Sequence, residues 1–272
     1  MLKLNGTLVL VGAGKMGGAL LEGWLKSGAD PARIVAFDPA PPAEVKAMLA
    51  EKGIRLNPKI SDITDAEVII VAVKPQVMED VLPGIVPLKI SKPLILSVAA
   101  GKTIAGFERH FGADAAVIRT IPNTPAAVGR GITAMASNPN VSAAQMQLAR
   151  QLLSAVGEVV TVDDEAMIDA VTAVSGSGPA YVFYLTECLA AAGEKVGLPA
   201  GLAMQLARAT VSGSGELMRQ SGIEAATLRQ NVTSPKGTTY AALQVLMAED
   251  GMQPLFDKAI EAATRRSREL AS

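Results

Sequence analysis

The stretch Thr7 to Gly18, TLVLVGAGKMGG, leaves the chain few folding options, because four apolar residues run into a glycine-rich turn and then into a helical pattern. That order is a buried strand, a tight loop and a helix start. Gly12, Gly14 and Gly17 fill a G-x-G-x-x-G template. In that template the first glycine permits the turn, the second lets backbone approach a pyrophosphate, and the third lets helix pack on strand. The main-chain N–H groups of Ala13, Gly14, Lys15, Met16 and Gly17 then face an anion at the positive end of the helix dipole. A plain tight βα turn can carry the same glycines. The strand before the template and an acidic residue further on make it a dinucleotide-binding signature.

Met16 to Ser27 places Met16, Leu20 and Trp24 at helical spacing, with Leu25 one position beyond, so this helix covers one face of a sheet. Arg33 to Asp38, RIVAFD, reads as a second strand, and Asp38 follows Gly17 by 21 residues. An acid about 20 residues on is the one that binds a ribose 2′-hydroxyl. A carboxylate accepts hydrogen bonds from the diol and repels a 2′-phosphate, and the following PAPPA holds no arginine to receive one. The residues therefore favour NADH over NADPH, the competing account of Asp38 being a turn residue before Pro39.

Glu44 to Lys52 reads as a helix ended by Gly53, and Glu67 to Lys74 as a third strand, apolar throughout in the manner of buried parallel strands. Its end, with Ala72, Val73 and Lys74, lies where strand carboxyl ends line a ligand crevice, unless Lys74 is simply a solvated turn residue. Pro93 to Gly101 is a further strand running into Ala99, Ala100 and Gly101, small enough to let a nicotinamide ring or its ribose approach the backbone. Ala116 to Thr120 breaks at Ile121 and Pro122 into PNTP, where Asn123 either fixes a carboxamide or water near the reactive ring carbon or makes an Asn-Pro type turn. Gly131 to Ala136 reads as a strand, Ser142 to Gln145 as a capping box opening a helix, and Val159 to Val162 as a last short strand.

From Asp164 the pattern is helical to the end. The expected organisation is an α/β, Rossmann-like dinucleotide-binding domain over residues 1–162, with seven or eight strands, and an all-helical domain over residues 163–272. Charged residues make up 19% of the chain against a usual figure of about 25%. That shortage of polar surface points to a buried subunit interface. The apolar run Tyr181 to Gly193 is a core or interface helix, and dimerisation falls to the helical half. A net charge of −1 gives no basic footprint for nucleic acid. The single Cys188 excludes an intrachain disulfide and a multi-thiolate metal site, and its neighbours place it in a helix core. No signal peptide is visible, no apolar stretch spans a bilayer, and a cytoplasmic setting follows.

Two polar segments interrupt the helical half. Ser175, Gly176, Ser177, Gly178, Pro179 and Ala180, followed by Tyr181, break the pattern as a loop that either binds an anion or only turns the chain. In NVTSPKGTTY, Asn231 to Tyr240, the residues Gly237, Thr238 and Thr239 open a helix whose free amides suit a carboxylate, unless Ser234 or Thr238 caps them. The last helix, Met252 to Leu270, sets Phe256, Ala259, Ile260 and Ala263 on one face. His110, the only histidine, lies in FERHFG with nothing beside it in sequence to form a proton relay. A reductase without such a relay suits a protonated C=N bond, which already attracts hydride, so that orientation and one hydroxyl suffice.

The segments GAGKMGG (Gly12 to Gly18), AVKP (Ala72 to Pro75), SVAAG (Ser97 to Gly101), RTIPNTP (Arg119 to Pro125), SGSGPAY (Ser175 to Tyr181) and VTSPKGTTYAAL (Val232 to Leu243) resemble those of pyrroline-5-carboxylate reductases over essentially the full chain. The resemblance implies reduction of L-1-pyrroline-5-carboxylate to L-proline by NAD(P)H, on a homodimer of interlocked helical domains that can assemble into larger rings. It implies that Gly12 to Gly17 hold the pyrophosphate, that Ala72 to Lys74 and Ala99 to Gly101 line the nicotinamide riboside, and that Asn123 sits near the carboxamide. It further implies that amides of Gly237 and Thr238 take the substrate carboxylate, that Thr239 bonds the imine nitrogen, and that Ser175 to Ala180 close the pocket. Two positions depart from the family pattern: Asp38, where a small hydroxylated residue is frequent, and Lys236, where glycine is frequent. Two other readings compete. Reductases of the β-hydroxyacid or 6-phosphogluconate type use a lysine on the first helix of the helical domain, but no lysine occurs between Lys102 and Lys195. A dinucleotide sensor needs an effector module, and none is evident.

Overall fold

The computed structural model describes residues 2–271. By its contacts the chain divides into two compact units: residues up to Gly176 together with the chain from Thr264 on, and Ser177–Ala263. The first unit runs β1 (Thr7–Val11), α1 (Lys15–Lys26), β2 (Ile34–Phe37), α2 (Ala43–Glu51), β3 (Arg55–Leu56), β4 (Ala66–Val71), α3 (Met78–Ile85), β5 (Leu94–Ser97), α4 (Ile104–Phe111), β6 (Ala116–Ile121), β7 (Gly131–Ser137), α5 (Ala143–Ser154), β8 (Gly157–Thr161) and α6 (Met167–Val171). The strands form one eight-stranded sheet in the order β3-β2-β1-β4-β5-β6-β7-β8. Every pair is parallel except β6 with β7, where Ile118 to Ile121 face Ser137 to Ala134 in antiparallel register. The sequence reading had no signal for that reversal, nor for β3, which is two residues long.

Alternation along the strands divides the core. Leu8, Leu10, Val68, Ile70, Leu94 and Leu96 turn to the face covered by α1, α2 and α5, where Leu20, Trp24, Leu49 and Leu152 are buried with them. Val9, Val11, Ile69, Val71 and Ile95 turn to α3 and α4, against Met78, Leu82 and Phe107. This is the period-two pattern of a sheet buried on both faces. The capping box expected at the start of α5 is formed, with Ser142 Oγ accepting from the Gln145 amide and Gln145 Oε1 accepting from that of Ser142. Trp24 ties two helices together: its indole N–H donates to the Leu152 carbonyl at 2.9 Å with the side chain fully buried.

The sheet ends at Thr161, beside the division expected at residue 163, yet the next residues pack with the sheet. Ile168 is buried with Ile121, Ala134 and Ala136. From Thr264 the last helix also belongs here, with Ser267 Oγ 2.6 Å from Asp169 Oδ1.

The second unit holds α7 (Gly178–Lys195), α8 (Ala200–Ser221), α9 (Ala225–Asn231), α10 (Thr238–Leu246) and the first part of α11 (Met252–Ala271). Small residues let α7 and α8 approach: a Cβ on Gly193 would stand 3.4 Å from that of Ala203, and Ala190, Ala203 and Ala207 are the residues buried along them. Tyr181 meets Phe256 edge to face, with ring centroids 6.4 Å apart. Two expectations need correction. Cys188 is exposed in the chain rather than set in a core. The segment from Ser175 is not an open loop, because Thr172–Gly176 forms a π-helical turn and α7 starts at Gly178, with Pro179 in the first turn where its missing N–H costs nothing.

Replacing Trp24 by Phe removes the indole donor and strands the buried Leu152 carbonyl. Unfolding in urea at fixed protein concentration is expected to show a loss of about 2 kcal/mol with an unchanged m-value.

Candidate active site

The three template glycines differ in what requires them. Gly12 has φ +94°, and a Cβ there would stand 2.8 Å from the Ala72 carbonyl and the Val73 nitrogen. A Cβ on Gly17 would lie 2.0 Å from the Gly12 carbonyl oxygen, inside any real contact. Both are glycines because the protein itself fills the space. At Gly14, by contrast, a Cβ would meet no atom of the described residues within 4 Å. Gly14 is the N-cap of α1 and leaves the first amides of the helix without a side-chain acceptor from the cap. Such a terminus is an anion cradle, in which the room at Gly14 suits a close-approaching phosphate. Ala13 departs from the expected set, since its N–H donates to Asp38 Oδ2 at 2.7 Å.

Asp38 follows β2 and is half-buried. Its Oδ1 accepts from the Ala40 N–H at 2.8 Å, so each carboxylate oxygen holds one amide and keeps a second acceptor site. Asn57, which sequence reading overlooked, clamps the same residue: its side chain accepts from the Asp38 N–H at 2.9 Å and donates to the Asp38 carbonyl at 2.8 Å. Asn57 sits at φ +52°, a conformation asparagine tolerates better than most residues. Asp38, Asn57, Gly12, Phe37, Val73 and Ile85 line a cavity of about 320 Å³ at the carboxyl ends of the first strands, and no lysine or arginine is among its lining residues. Its walls are chiefly apolar, as a flat heterocycle requires.

Further along the same sheet end, Ala72 and Val73 are half-buried and Lys74 is exposed. The loop after β5 carries buried Ala99, exposed Ala100 and Gly101 at φ +72°, where a Cβ would stand 3.1 Å from the Leu270 carbonyl oxygen. Lys102 and His110 both bond Glu79, at 3.1 and 3.0 Å, and those bonds hold the Glu79 carboxyl below the ordinary carboxylate range. His110 thus has a carboxylate partner from 31 residues upstream, which its sequence neighbours could not show. Asn123 spends its amide on the chain: Oδ1 accepts from the Ile132 N–H at 3.0 Å, and Nδ2 reaches the Ser175 carbonyl and hydroxyl at 3.4 Å. Arg119 on β6 is buried, and its Nη1 meets Glu165 Oε1 at 2.9 Å. A cation inside an apolar strand was the signal for it, and the sequence reading did not use it. Among the described residues no group of three or more His, Cys, Asp or Glu comes together to hold a metal.

In the helical unit, Ser234, Pro235, Lys236 and Gly237 make a β-turn closed by the Gly237 N–H on the Ser234 carbonyl at 3.0 Å. Proline in its second place and φ +62° at Lys236 give it the pattern of a type II turn, whose third place favours glycine. α10 opens directly after it, with Gly237 as N-cap and no side-chain capping bond, so neither Ser234 nor Thr238 consumes the amides there. Thr238 is exposed and Thr239 half-buried. At the start of α7, Ser177 likewise provides no side-chain cap.

Residues 7–101 match the family described as NADP oxidoreductase, coenzyme F420-dependent, and residues 165–270 match pyrroline-5-carboxylate reductase dimerisation. A pyrroline-5-carboxylate reductase of Pseudomonas aeruginosa is 43% identical, over 97% of this chain and 96% of that protein. The structure of a pyrroline-5-carboxylate reductase from Coxiella burnetii superposes with TM-score 0.91 and 32% identity, covering 99% of this chain and all of the other. That of the Plasmodium falciparum pyrroline carboxylate reductase, solved with NADP bound, gives TM-score 0.81 and 28% identity over 98% of this chain and 99% of the other. Glycine cradle, acid-walled cavity and parallel sheet define a dinucleotide-dependent oxidoreductase with a helical dimerisation region. More narrowly, the chain belongs to the pyrroline-5-carboxylate reductase family, NAD(P)H-dependent enzymes that catalyse the final step of proline biosynthesis.

Gly14→Ala is expected to leave the melting temperature within about 1 °C and to weaken NADH binding about tenfold, the equivalent of 1.4 kcal/mol, in a fluorescence titration. Gly17→Ala is expected to lower the melting temperature sharply, because backbone must move. Lys236→Gly relieves a left-handed residue and is expected to stabilise the protein by about 1 kcal/mol, read as a rise in melting temperature of about 2–4 °C.

Proposed function

We propose that NADH is the preferred hydride donor of this reductase. The observation that carries this reading is the Asp38 carboxylate fixed on the wall of a cavity lined by no basic residue. A ribose diol donates to its remaining acceptor sites, whereas a 2′-phosphate would lie against a like charge without a counter-ion. In this reading, the amides after Gly14 hold the pyrophosphate, Asp38 takes the adenosine ribose, and the chain at Ala72 to Lys74 and at Ala99 to Gly101 lines the nicotinamide riboside. Asn123 acts by holding Ser175 in place, because its amide is already committed.

The uncapped start of α10 receives the substrate carboxylate through the amides of Gly237 and Thr238, where the helix dipole favours an anion. Thr239 hydrogen-bonds the imine nitrogen. Hydride reaches the ring carbon of the protonated imine, the C=N π pair passes to nitrogen, and a secondary amine results, with no further proton needed at that atom. Orientation does most of the work, since the cation is already electrophilic. Ser175 to Ala180, at the π-helical turn and the start of α7, close over the substrate. The assembly is a homodimer built through the helical region, which can associate further into a ring, in a cytoplasmic setting. No helix among the described residues is long and apolar enough to cross a membrane.

Steady-state kinetics with both coenzymes test the first point. NADH is expected to give the higher kcat/KM, and Asp38→Ser to move the ratio about tenfold toward NADPH, the equivalent of 1.4 kcal/mol. A native preference for NADPH would refute the electrostatic reading of Asp38. Thr239→Val is expected to lower kcat/KM for pyrroline-5-carboxylate about 10- to 100-fold with NADH affinity unchanged. An unaltered rate would take Thr239 out of the mechanism.

A further inference from the structure

We infer that Arg119 and Glu165 are positioning residues for hydride transfer, holding the loop from Val98 to Thr103 in the shape that presents the nicotinamide. The inference rests on the reading of Ala99 to Gly101 as the nicotinamide-lining segment. That loop is short, and its two ends are fixed in different ways. At the β5 end, the Val98 N–H donates to the Val71 carbonyl at 3.0 Å and the Ala99 N–H to Ser97 Oγ at 3.3 Å. The Ser97 carbonyl is in turn held by Thr120 Oγ1 at 2.8 Å.

At the α4 end the holding group comes from outside. Thr103 caps the helix through the Gly106 N–H, and the Ile104 N–H, left without an intrahelical acceptor, donates to Glu165 Oε1 at 2.9 Å. The same oxygen accepts from Arg119 Nη1, also at 2.9 Å. Glu165 belongs to the segment after the last strand, so this bond is made across 61 residues of chain.

The guanidinium is costly where it is. The Arg119 side chain is 3% exposed, and its Nε and Nη2 are buried without a hydrogen-bond partner among the described residues. It projects from the middle of β6, where Val117 and Ile121 on the same face pack with apolar clusters. A buried charge satisfied at one nitrogen of three is a poor stabiliser, and an apolar side chain of similar length would serve packing as well or better. What an apolar chain would not do is fix the Glu165 carboxylate on the first amide of α4. The carboxylate, itself partly open to solvent, would otherwise turn to water and release the loop. The other constraints on the loop are weaker. Lys102 pairs with Glu79 on the surface, and Gly101 leans on the Leu270 carbonyl.

The experiment separates support of the fold from support of the reaction. Arg119→Met, Glu165→Gln and the double variant are compared with the unmodified protein in melting temperature, NADH affinity, kcat, and the isotope effect with NADH deuterated at the transferred position. Glu165→Gln, which leaves the buried guanidinium without its carboxylate, is expected to melt lower, Arg119→Met to keep the unmodified melting temperature, and each to lose about tenfold in kcat, with KM for pyrroline-5-carboxylate within about twofold of the unmodified value. The double variant, which has no unpaired buried charge, is expected to regain the melting temperature while kcat stays low and the isotope effect on kcat rises. Recovery of kcat together with stability would mean a purely structural pair and overturn the inference. So would a double variant that fails to fold, because the guanidinium would then be needed for packing. An unmodified protein that binds NADH but does not reduce the imine would instead refute the functional reading itself, and the positioning role with it.

Discussion

At the centre of the sheet unit two backbones nearly touch. Gly17, in the first turn of α1, lies so close beneath the Gly12 carbonyl that a methyl group has no place between them. This contact sets the depth at which α1 enters the sheet, and with it the direction of the amides at its start. The rest of α1 is held by burial: Leu20, Leu21 and Trp24 are fully covered, and the Trp24 indole reaches across to α5. A helix fixed at its first turn by backbone contact and at its last by a buried ring cannot tilt to suit a ligand. The helix start is therefore shaped by the chain itself, which lowers the entropic cost of binding any anion placed there.

Much of this was legible in the chain because local pattern and final structure agree. The run from Thr7 into the glycine turn and the Ser142 capping box depend on neighbours in sequence, and the structure has them within a residue or two of the expected places, while the strands expected at Glu67 to Lys74 and Pro93 to Gly101 end sooner, at Val71 and Ser97. What escaped depends on distant partners. No local feature shows that β7 runs against β6, because an isolated strand carries no sign of direction. Asn57 and Asp38 meet only once β3 lies beside β2, and His110 finds Glu79 only when α3 and α4 share a face. The segment at Ser175 was misjudged for another reason. Glycine and proline usually end a helix, yet a π-turn before it and proline in a first turn after it let the chain pass through nearly unbroken.

The helical unit shows what a low content of charge means physically. Along α7, Phe183 and Tyr184 are 62% and 66% exposed in the single chain, and Val182, Leu185 and Leu189 lie open beside them. α8 adds Leu202, Leu206 and Leu217. Surface of this kind is too extensive for a monomer in water and suits the dimerisation family matched by residues 165–270. Cys188 has the same explanation: its apolar neighbours were read as a core, and they are the outer face of one chain. Periodicity reports that a face avoids water without saying which molecule covers it.

The clamp between Asn57 and Asp38 has a bearing on how such an enzyme changes over generations. Both of its bonds run through the main chain of residue 38, so they persist whatever side chain stands there. The main-chain clamp is thus independent of the side chain at 38, whereas the Ala13 and Ala40 amides are held by the carboxylate itself. A lineage that exchanges the carboxylate for a hydroxyl therefore keeps the Asn57 clamp and has only the amides of Ala13 and Ala40 to provide for anew.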